Sequence, residues 1–208
     1  MSAYKVVIVG GYPPPFGGIT VHIQRLASLL SKNYDVKVLD FYGRSSMEDR
    51  SRYGVELVRV KDSVLRNFTY AIHQLCSGQG IVHLHVSAGS NLLRILCFVI
   101  AKVSKSLMLT IHSGSFAARV SAKSLFGRVV LRWVLRCFDR IVVVNPEQER
   151  ALKSLGVPTE KVVIIPAYLK ASAEHSSSKA NQIEQLCSRN DRMLISSGFG
   201  LPHYGYHV

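Results

Sequence analysis

Residues 12–21 read YPPPFGGITV, and they join two runs of opposite character. The β-branched run before them, residues 6–9, predicts a buried strand, and the amphipathic run after them, residues 22–30, predicts a helix. Three prolines stiffen the connection, and Gly17 and Gly18 let the backbone approach another group where the helix begins. A helix start also presents N–H groups. The stretch therefore predicts either a cleft floor for a phosphate or sugar, or a tight turn without a ligand.

Strand and helix patterns alternate along most of the chain. Short apolar and β-branched runs predict strands at residues 4–10, 36–39, 55–60, 81–86, 106–111, 140–144 and 161–165. Helices are predicted between them at residues 20–31, 63–76, 91–104, 122–137 and 146–155, the last with Asn145 as N-cap, Pro146 at its first position and Gly156 after its end. This alternation predicts an α/β fold, a Rossmann-like, doubly wound parallel sheet of about seven strands. Ligands of such sheets bind beyond the carboxyl ends of the strands.

The composition narrows the classes of function. Hydrophobic residues make up 48% of the 208 residues, which is too many for a disordered chain. The net charge of +13 implies acidic partners such as nucleic acid, anionic lipid or phosphate-bearing substrates. The 4 cysteines include no CxxC pair, which indicates reduced thiols. No apolar run reaches the roughly 20 residues of a membrane-spanning helix, so we expect a cytoplasmic protein, soluble or peripheral on the inner face of a membrane.

Histidines stand at the ends of two predicted strands. His112 follows the strand at 106–111 and precedes Ser113, where an imidazole can hydrogen-bond a sugar hydroxyl or a developing charge; a structural histidine is the alternative. His83 and His85 alternate along one strand and therefore share a face. We expect His85 in the cleft and His83 in the core. No Asp, Glu or Cys nearby completes a set of ligands, so we expect no metal site.

A basic segment, residues 119–138, is predicted as a helix. Its residues Arg128, Arg132 and Arg136 are spaced four apart and form one stripe, beside Trp133 and several aliphatic residues. A basic stripe beside apolar residues suits an anionic membrane surface. A solvated face on a packed helix is the alternative.

Two classes of function are disfavoured. The charge would fit nucleic acid, but we find no zinc finger, RNP-like aromatic strand or helix-turn-helix pattern, and we expect no nucleic-acid partner. A dinucleotide oxidoreductase would fit the opening strand–glycine–helix unit and Asp40 at the end of the second strand. The GxGxxG pattern is missing, however, because three prolines separate Gly10 and Gly11 from Gly17 and Gly18.

The chain changes character after Ala167, where a small-polar stretch begins. Residues 193–197, MLISS, read as one more strand, and one strand cannot form a layer by itself. An eighth strand of the first sheet is the alternative. We expect three parts: a Rossmann-like domain at 1–168, a linker with a short helix at 169–190, and the first strand of a truncated second domain at 191–208.

Four segments occur in the order PPPFGGITVHIQRLASLL, IVHLHVS, LTIHSGSF and FDRIVVVNPEQERALKSLGVPTEKVVIIPA. Together they resemble the N-terminal domain of the family-four retaining glycosyltransferases of the GT-B fold. Residues 193–206, MLISSGFGLPHYGY, resemble the first strand and loop of that family's C-terminal domain. The resemblance covers nearly the whole chain apart from the linker. The usual IPNG-type turn appears as IPAY at residues 165–168, without its Asn-Gly.

The resemblance implies a role for each matching residue. It places the donor phosphate and the acceptor near Gly17, Gly18 and Thr20, and the transferred sugar at His112, the implied catalytic residue. It places the acceptor side at His85, Ser87, Ser113 and Asn145. The implied reaction moves a sugar from a nucleotide-sugar donor to a glycan or lipid-linked acceptor, with retained configuration and without a required metal or cofactor. Polysaccharide or glycolipid assembly is the implied setting.

The resemblance also implies an incomplete site. In this family the C-terminal domain binds the nucleotide sugar through two glutamates in an E-x7-E motif, and no such motif follows the linker. We therefore expect little or no transferase activity from this chain alone. The alternative function is a non-catalytic module that binds an acceptor or a membrane.

Overall fold

A computed structural model describes residues 5–40, 55–59, 69, 80–87, 95, 99 and 106–166. In order, the strands are β1 Lys5–Gly10, β2 Asp35–Asp40, β3 Glu56–Arg59, β4 Gly80–Val86, β5 Ser106–Ile111, β6 Arg140–Val143 and β7 Val162–Ile164. The α-helices are α1 Gly18–Leu30, α2 Phe116–Ser121, α3 Leu125–Arg136 and α4 Pro146–Ser154, and a 3-10 turn, Thr159–Lys161, precedes β7. Thr69, Ile95 and Val99 are also helical. They fall in the predicted helices at 63–76 and 91–104, whose other residues lie outside the described part.

The strands form one seven-stranded sheet in the order β3-β2-β1-β4-β5-β6-β7, and every pair is parallel. The predicted Rossmann-like α/β fold is therefore confirmed. The strand order reverses between β1 and β4, because the chain first builds outward from β1 to β3 and then returns to the other side of β1. Ligands bind at such a reversal, beyond the carboxyl ends of the strands.

Strand β1 lies between β2 and β4 and is buried on both faces, which explains its continuous apolar run. Val7 and Val9 belong to the core on one face, and Val6 and Ile8 belong to the core on the other. The face of Val6 and Ile8 is covered by α1 through Ile23. The opposite face is covered by α3 and α4 through Leu131, Val134, Leu135 and Leu152.

The predicted basic helix is wrong in its extent. The chain forms two helices here, because α2 already begins at Phe116 and a break separates its end from α3. The side chain of Ser124 accepts a hydrogen bond from the Gly127 N–H at 3.2 Å and caps a new helix. Phe116 therefore belongs to a helix and not to a loop, and Lys123 lies between the two helices.

Helix α4 begins and ends as predicted. Asn145 Oδ1 accepts from the Gln148 N–H at 2.9 Å, and Pro146 takes the first helical position. Gly156 follows the end of the helix with φ +73°, in the left-handed region where glycine is favoured. All of these residues belong to one compact unit, Met1–Leu169. The predicted linker at 169–190, the predicted strand at 193–197 and the hinge at 167–168 lie outside the described residues.

Candidate functional site

The loops that follow β1, β4, β5 and β6 meet at the carboxyl edge of the sheet. They contain the predicted site residues: Gly17, Gly18, Ser87, His112, Ser113 and Asn145, with Thr20 in the first turn of α1. Their common position follows from the parallel strands, whose carboxyl ends all lie at one edge.

The loop after β1 is fixed from both ends. At its start the Tyr12 N–H donates to Oδ1 of the buried Asp40, at the end of β2, over 3.3 Å. At its end Thr20 Oγ1 accepts from the Gly17 N–H at 2.9 Å, and the Thr20 hydroxyl lies 2.8 Å from the Pro15 carbonyl oxygen. Thr20 is buried, so it shapes the loop from within. Asp40, which the sequence analysis weighed as the acidic residue of a dinucleotide-binding site, makes a structural contact with the backbone of this loop.

Gly10 and Gly18 differ in what surrounds them. A Cβ on Gly10, at the end of β1, would clash with the Ile23 side chain and lie 3.3 Å from His85 Cβ. Glycine there lets α1 and β4 approach β1 closely. A Cβ on Gly18, the first residue of α1, would meet nothing within 4 Å, and Gly18 is exposed. The start of α1 is therefore open to a ligand.

His83 and His85 share a face of β4, as their spacing predicts, and their ring centroids are 4.2 Å apart. The alternate residues Leu84 and Val86 enter the core on the other face, so the histidines lie on the side covered by α1. His83 is buried, and its Nε2 lies 2.7 Å from Thr110 Oγ1 on β5. This contact fits the packed histidine expected at this position.

His85 and His112 are joined directly. His85 Nδ1 lies 2.9 Å from His112 Nε2, and one of these nitrogens donates to the other. The His112 N–H donates to the Val86 carbonyl oxygen at 3.0 Å, which fixes the start of the loop after β5.

His22 on α1 contributes a third imidazole, which was not predicted from the sequence. Its ring centroid is 5.7 Å from that of His85 and 5.1 Å from that of His112. The signal in the sequence is the neighbouring Ile23, because a helix that buries Ile23 against the sheet brings the adjacent position to the margin of the same face. We call His22, His85 and His112 the histidine cluster.

Burial and mutual repulsion lower the pKa of His83, His85 and His112. Burial, and then the positive charges that His112 and His22 would carry, lower the pKa of His83 from 6.5 to about 4. Burial and the neighbouring His22 lower the pKa of His112 to about 4. Burial, followed by the three other histidines, lowers the pKa of His85 well below 6.5. At neutral pH each ring therefore has one N–H donor and one lone pair.

The loop that contains His112 is held by Gln148 of α4, a residue that the sequence analysis passed over. Gln148 is 1% exposed; its Nε2 donates to the Ser113 carbonyl oxygen at 2.6 Å, and its Oε1 accepts from the Val144 N–H at 2.9 Å. The available signal was a Gln three residues after the N-cap Asn145. Ser113 is itself buried, with its Oγ 3.1 Å from Ser115 Oγ. Asn145 and Ser113 therefore make local structural contacts, and Ser87 is half-buried at the same edge.

Helix α3 carries an unusual exposed surface. Its apolar residues Leu125, Phe126, Val129 and Trp133 are 82%, 79%, 64% and 60% exposed. Of the predicted stripe, Arg132 and Arg136 are exposed and Arg128 is half-buried. We call the four apolar residues with Arg132 and Arg136 the α3 surface. Among the described residues no helix has the length and apolar character needed to cross a bilayer.

Comparison with known proteins identifies the class of this domain. A family model for the glycosyl transferase 4-like domain matches residues 17–167, from the glycine loop past β7. The chain therefore belongs to the glycosyl transferase 4-like domain family.

A glycosyltransferase structure from Rickettsia africae ESF-5 has a similar fold, with a TM-score of 0.54 at 14% sequence identity. The similarity covers 91% of this chain and 50% of that chain, so this chain spans half of the length of that protein. No curated protein matches the sequence.

Proposed function

We propose that this chain takes part in the transfer of a sugar from a nucleotide-sugar donor to a glycan or lipid-linked acceptor, with retention of the anomeric configuration. The observation that carries the proposal is the position of His112, at the carboxyl end of β5 and 2.9 Å from His85. His85 is on β4, beside the point where the sheet order reverses, and His112 follows the neighbouring strand β5 at the same carboxyl edge, where ligands of such sheets bind. Family membership supplies the class of reaction.

The neutral state of His112 suits a sugar. With its pKa at about 4 and its Nε2 bonded to His85, the neutral ring offers its Nδ1 to a sugar hydroxyl, as donor or acceptor according to the tautomer. A histidine meant for a phosphate would gain from a positive charge, whereas this site suppresses that charge. His112 therefore contacts the transferred sugar, and the diphosphate lies closer to Gly17 and Gly18, where the N-terminus of α1 favours negative charge.

Nucleotide binding belongs, in this proposal, to a second domain of the kind that the resemblance implies. The groups described at this edge are neutral imidazoles, hydroxyls and backbone, whereas a leaving diphosphate needs strong electrostatic stabilisation. The 208 residues assayed by themselves are then expected to bind acceptor and to turn over slowly. A chimera in which the second half of the Rickettsia africae protein follows residue 167 is expected to turn over faster.

The test is an assay of the chain and of the chimera with a panel of nucleotide sugars and lipid-linked acceptors, with product configuration read by NMR. His112→Ala is expected to lower turnover by about 100-fold, in the range of a group that contacts the transition state. Arg25→Gln, an exposed change on α1, serves as control. Equal turnover by His112→Ala and the parent, or a product of inverted configuration, would contradict the proposal.

A second function, membrane docking, is favoured by the α3 surface. Four exposed apolar side chains next to Arg132 and Arg136 match an anionic lipid interface, where apolar groups insert and arginines meet the headgroups. The net charge of +13 adds long-range attraction to such a surface. We propose that the chain docks peripherally through this face on the cytoplasmic side, where lipid-linked acceptors are presented.

The single tryptophan of the chain, Trp133, reports this docking directly. Vesicles with anionic lipid are expected to shift its fluorescence to shorter wavelength and to sediment the protein, and neutral vesicles are not. Arg132→Gln with Arg136→Gln is expected to weaken binding about 30-fold, from roughly 1 kcal/mol for each of the two basic residues. The matched control is Arg25→Gln with Arg150→Gln, two exposed arginines on other helices. Binding that is equal for both double variants would refute docking by α3.

A further inference from the structure

The histidine cluster brings together three nitrogen donors from distant parts of the chain. One ring nitrogen from each of His22, His85 and His112 lies within 4.8 Å of the other two. His85 is fully enclosed, and its Nε2 is the one buried side-chain polar atom among the described residues with no hydrogen-bond partner. Buried polar groups are normally paired, so this arrangement calls for an explanation beyond packing.

From this convergence we infer that His22, His85 and His112 form a binding site for a divalent transition-metal ion of the Zn²⁺, Co²⁺ or Ni²⁺ type. The donors are imidazole nitrogens without a carboxylate among them. Imidazole suits these ions, whereas Mg²⁺ and Ca²⁺ prefer oxygen ligands. Three protein ligands with an open fourth position is a common arrangement for zinc in sites that also bind a small molecule.

The distances are compatible with coordination after small side-chain movements. Two nitrogens at about 2.0–2.1 Å from a tetrahedral ion lie roughly 3.4 Å apart. The three ligand nitrogens, one from each ring, all lie within 4.8 Å of one another, so no pair has to close by more than about 1.4 Å. His22 and His112 are only partly buried and can rotate toward the enclosed His85. Their exposure also leaves one side of the ion open to water or a ligand.

Metal binding has a consequence that rests on the proposed function. An ion held by the cluster, with water in its open position, would occupy the space in which a sugar contacts His112. A bound ion therefore competes with the sugar and inhibits transfer. The binding itself does not depend on that reaction, and the two are measured separately.

The test is a titration of the metal-free full chain with Co²⁺, followed by displacement with Zn²⁺. We expect one equivalent of Co²⁺ to give a visible d–d band without a thiolate charge-transfer band, because the ligands are imidazoles and not cysteines. His22→Gln is expected to weaken affinity by at least tenfold, as loss of one ligand. The quadruple change of His73, His175, His203 and His207 to Gln, outside the described residues, is expected to leave affinity unchanged.

A measurement on the parent chain does not depend on the folding of any variant. On addition of Zn²⁺, the imidazole ¹⁵N resonances of His22, His85 and His112 are expected to shift together at one equivalent, with smaller changes at His83, which is bonded to Thr110. An affinity that is unchanged in His22→Gln, binding that disappears in the quadruple variant, or a thiolate band would overturn the metal site. Binding without inhibition of transfer would instead count against the proposed role of His112 at the sugar.

Discussion

Gln148 Nε2 donates to the Ser113 carbonyl oxygen over 2.6 Å, and this contact ties α4 to the loop that carries His112. The same side chain accepts from the Val144 N–H through its Oε1. One buried amide therefore holds two of the loops that form the ligand-binding edge. Its role is positional, since it reaches the site only through the backbone of Ser113.

Gln148→Ala is expected to lower the free energy of unfolding by about 2–3 kcal/mol, because it leaves the partly buried Val144 N–H without its acceptor and opens a cavity at the buried Gln148. Urea unfolding measures the loss, and Arg150→Ala, exposed on the same helix, is the control. A loss below about 0.5 kcal/mol, the level of an ordinary surface change, would show that the loop is held by other contacts.

Gly10→Ala and Gly18→Ala are expected to separate stability from binding. The added methyl at Gly10 collides with Ile23, so unfolding should become easier by about 1–3 kcal/mol. The methyl at Gly18 meets open space, so stability should stay within about 0.5 kcal/mol of the parent. Any loss of donor or acceptor affinity in Gly18→Ala then reports on a ligand at the start of α1. Equal destabilisation by both changes would argue against the close approach at Gly10.

Thr20→Val keeps the shape of the side chain and removes its hydroxyl. The Gly17 N–H then loses its acceptor, and we expect a loss of about 1 kcal/mol, typical of a helix cap. Thr20→Ser retains the hydroxyl oxygen, so we expect it to keep most of the stability that Thr20→Val loses. If valine and serine behave alike in urea unfolding, the hydroxyl is not what fixes the loop.

Stability of the chain kept metal-free with a chelator is expected to fall as the pH is lowered from 6.5 to 4. The pKa of His83 is about 4 in the folded chain against 6.5 as its ordinary value, so in this window the unfolded chain binds a proton that the folded chain does not. Above pH 6.5 the imidazole is neutral in both states and its contribution is complete. At pH 4 the contribution of His83 to the free energy of unfolding is lower than above pH 6.5 by on the order of 3 kcal/mol.

The comparison variant is His83→Gln, which keeps a hydrogen-bonding group near Thr110. Its free energy of unfolding should depend less on pH across the same window, as measured by urea unfolding at each pH. Parallel curves for the parent and His83→Gln would show that His83 does not resist protonation in the fold.

Periodicity and position along the strands were enough to predict much of the site. The alternation of strands and helices fixes parallel pairing, and parallel pairing places His112, Gly17 and Asn145 at one edge without further information. The shared face of His83 and His85 follows from the two-residue period of a strand.

Contacts between a helix and the sheet could not be predicted from periodicity and strand position. The approach of His22 to His85 depends on how α1 is rotated and seated on the sheet, which the closeness allowed by Gly10 decides. The hydrogen bond from Gln148 to the Ser113 carbonyl oxygen depends on how α4 packs beside β6. The break before α3 was readable in principle from the capping residue Ser124, but the continuous apolar and basic pattern around it favoured one long helix.

The strand order has a consequence for the chain as it is synthesised. Strand β1 can pair with β2 on one edge as soon as both strands have emerged, but its other edge receives β4 only after residue 80 has left the ribosome. At about 5–20 residues per second that edge stays open for seconds, and an open apolar edge is a point of misassociation. The nascent chain therefore passes through a stage in which an interior strand of the finished sheet is an exposed edge strand.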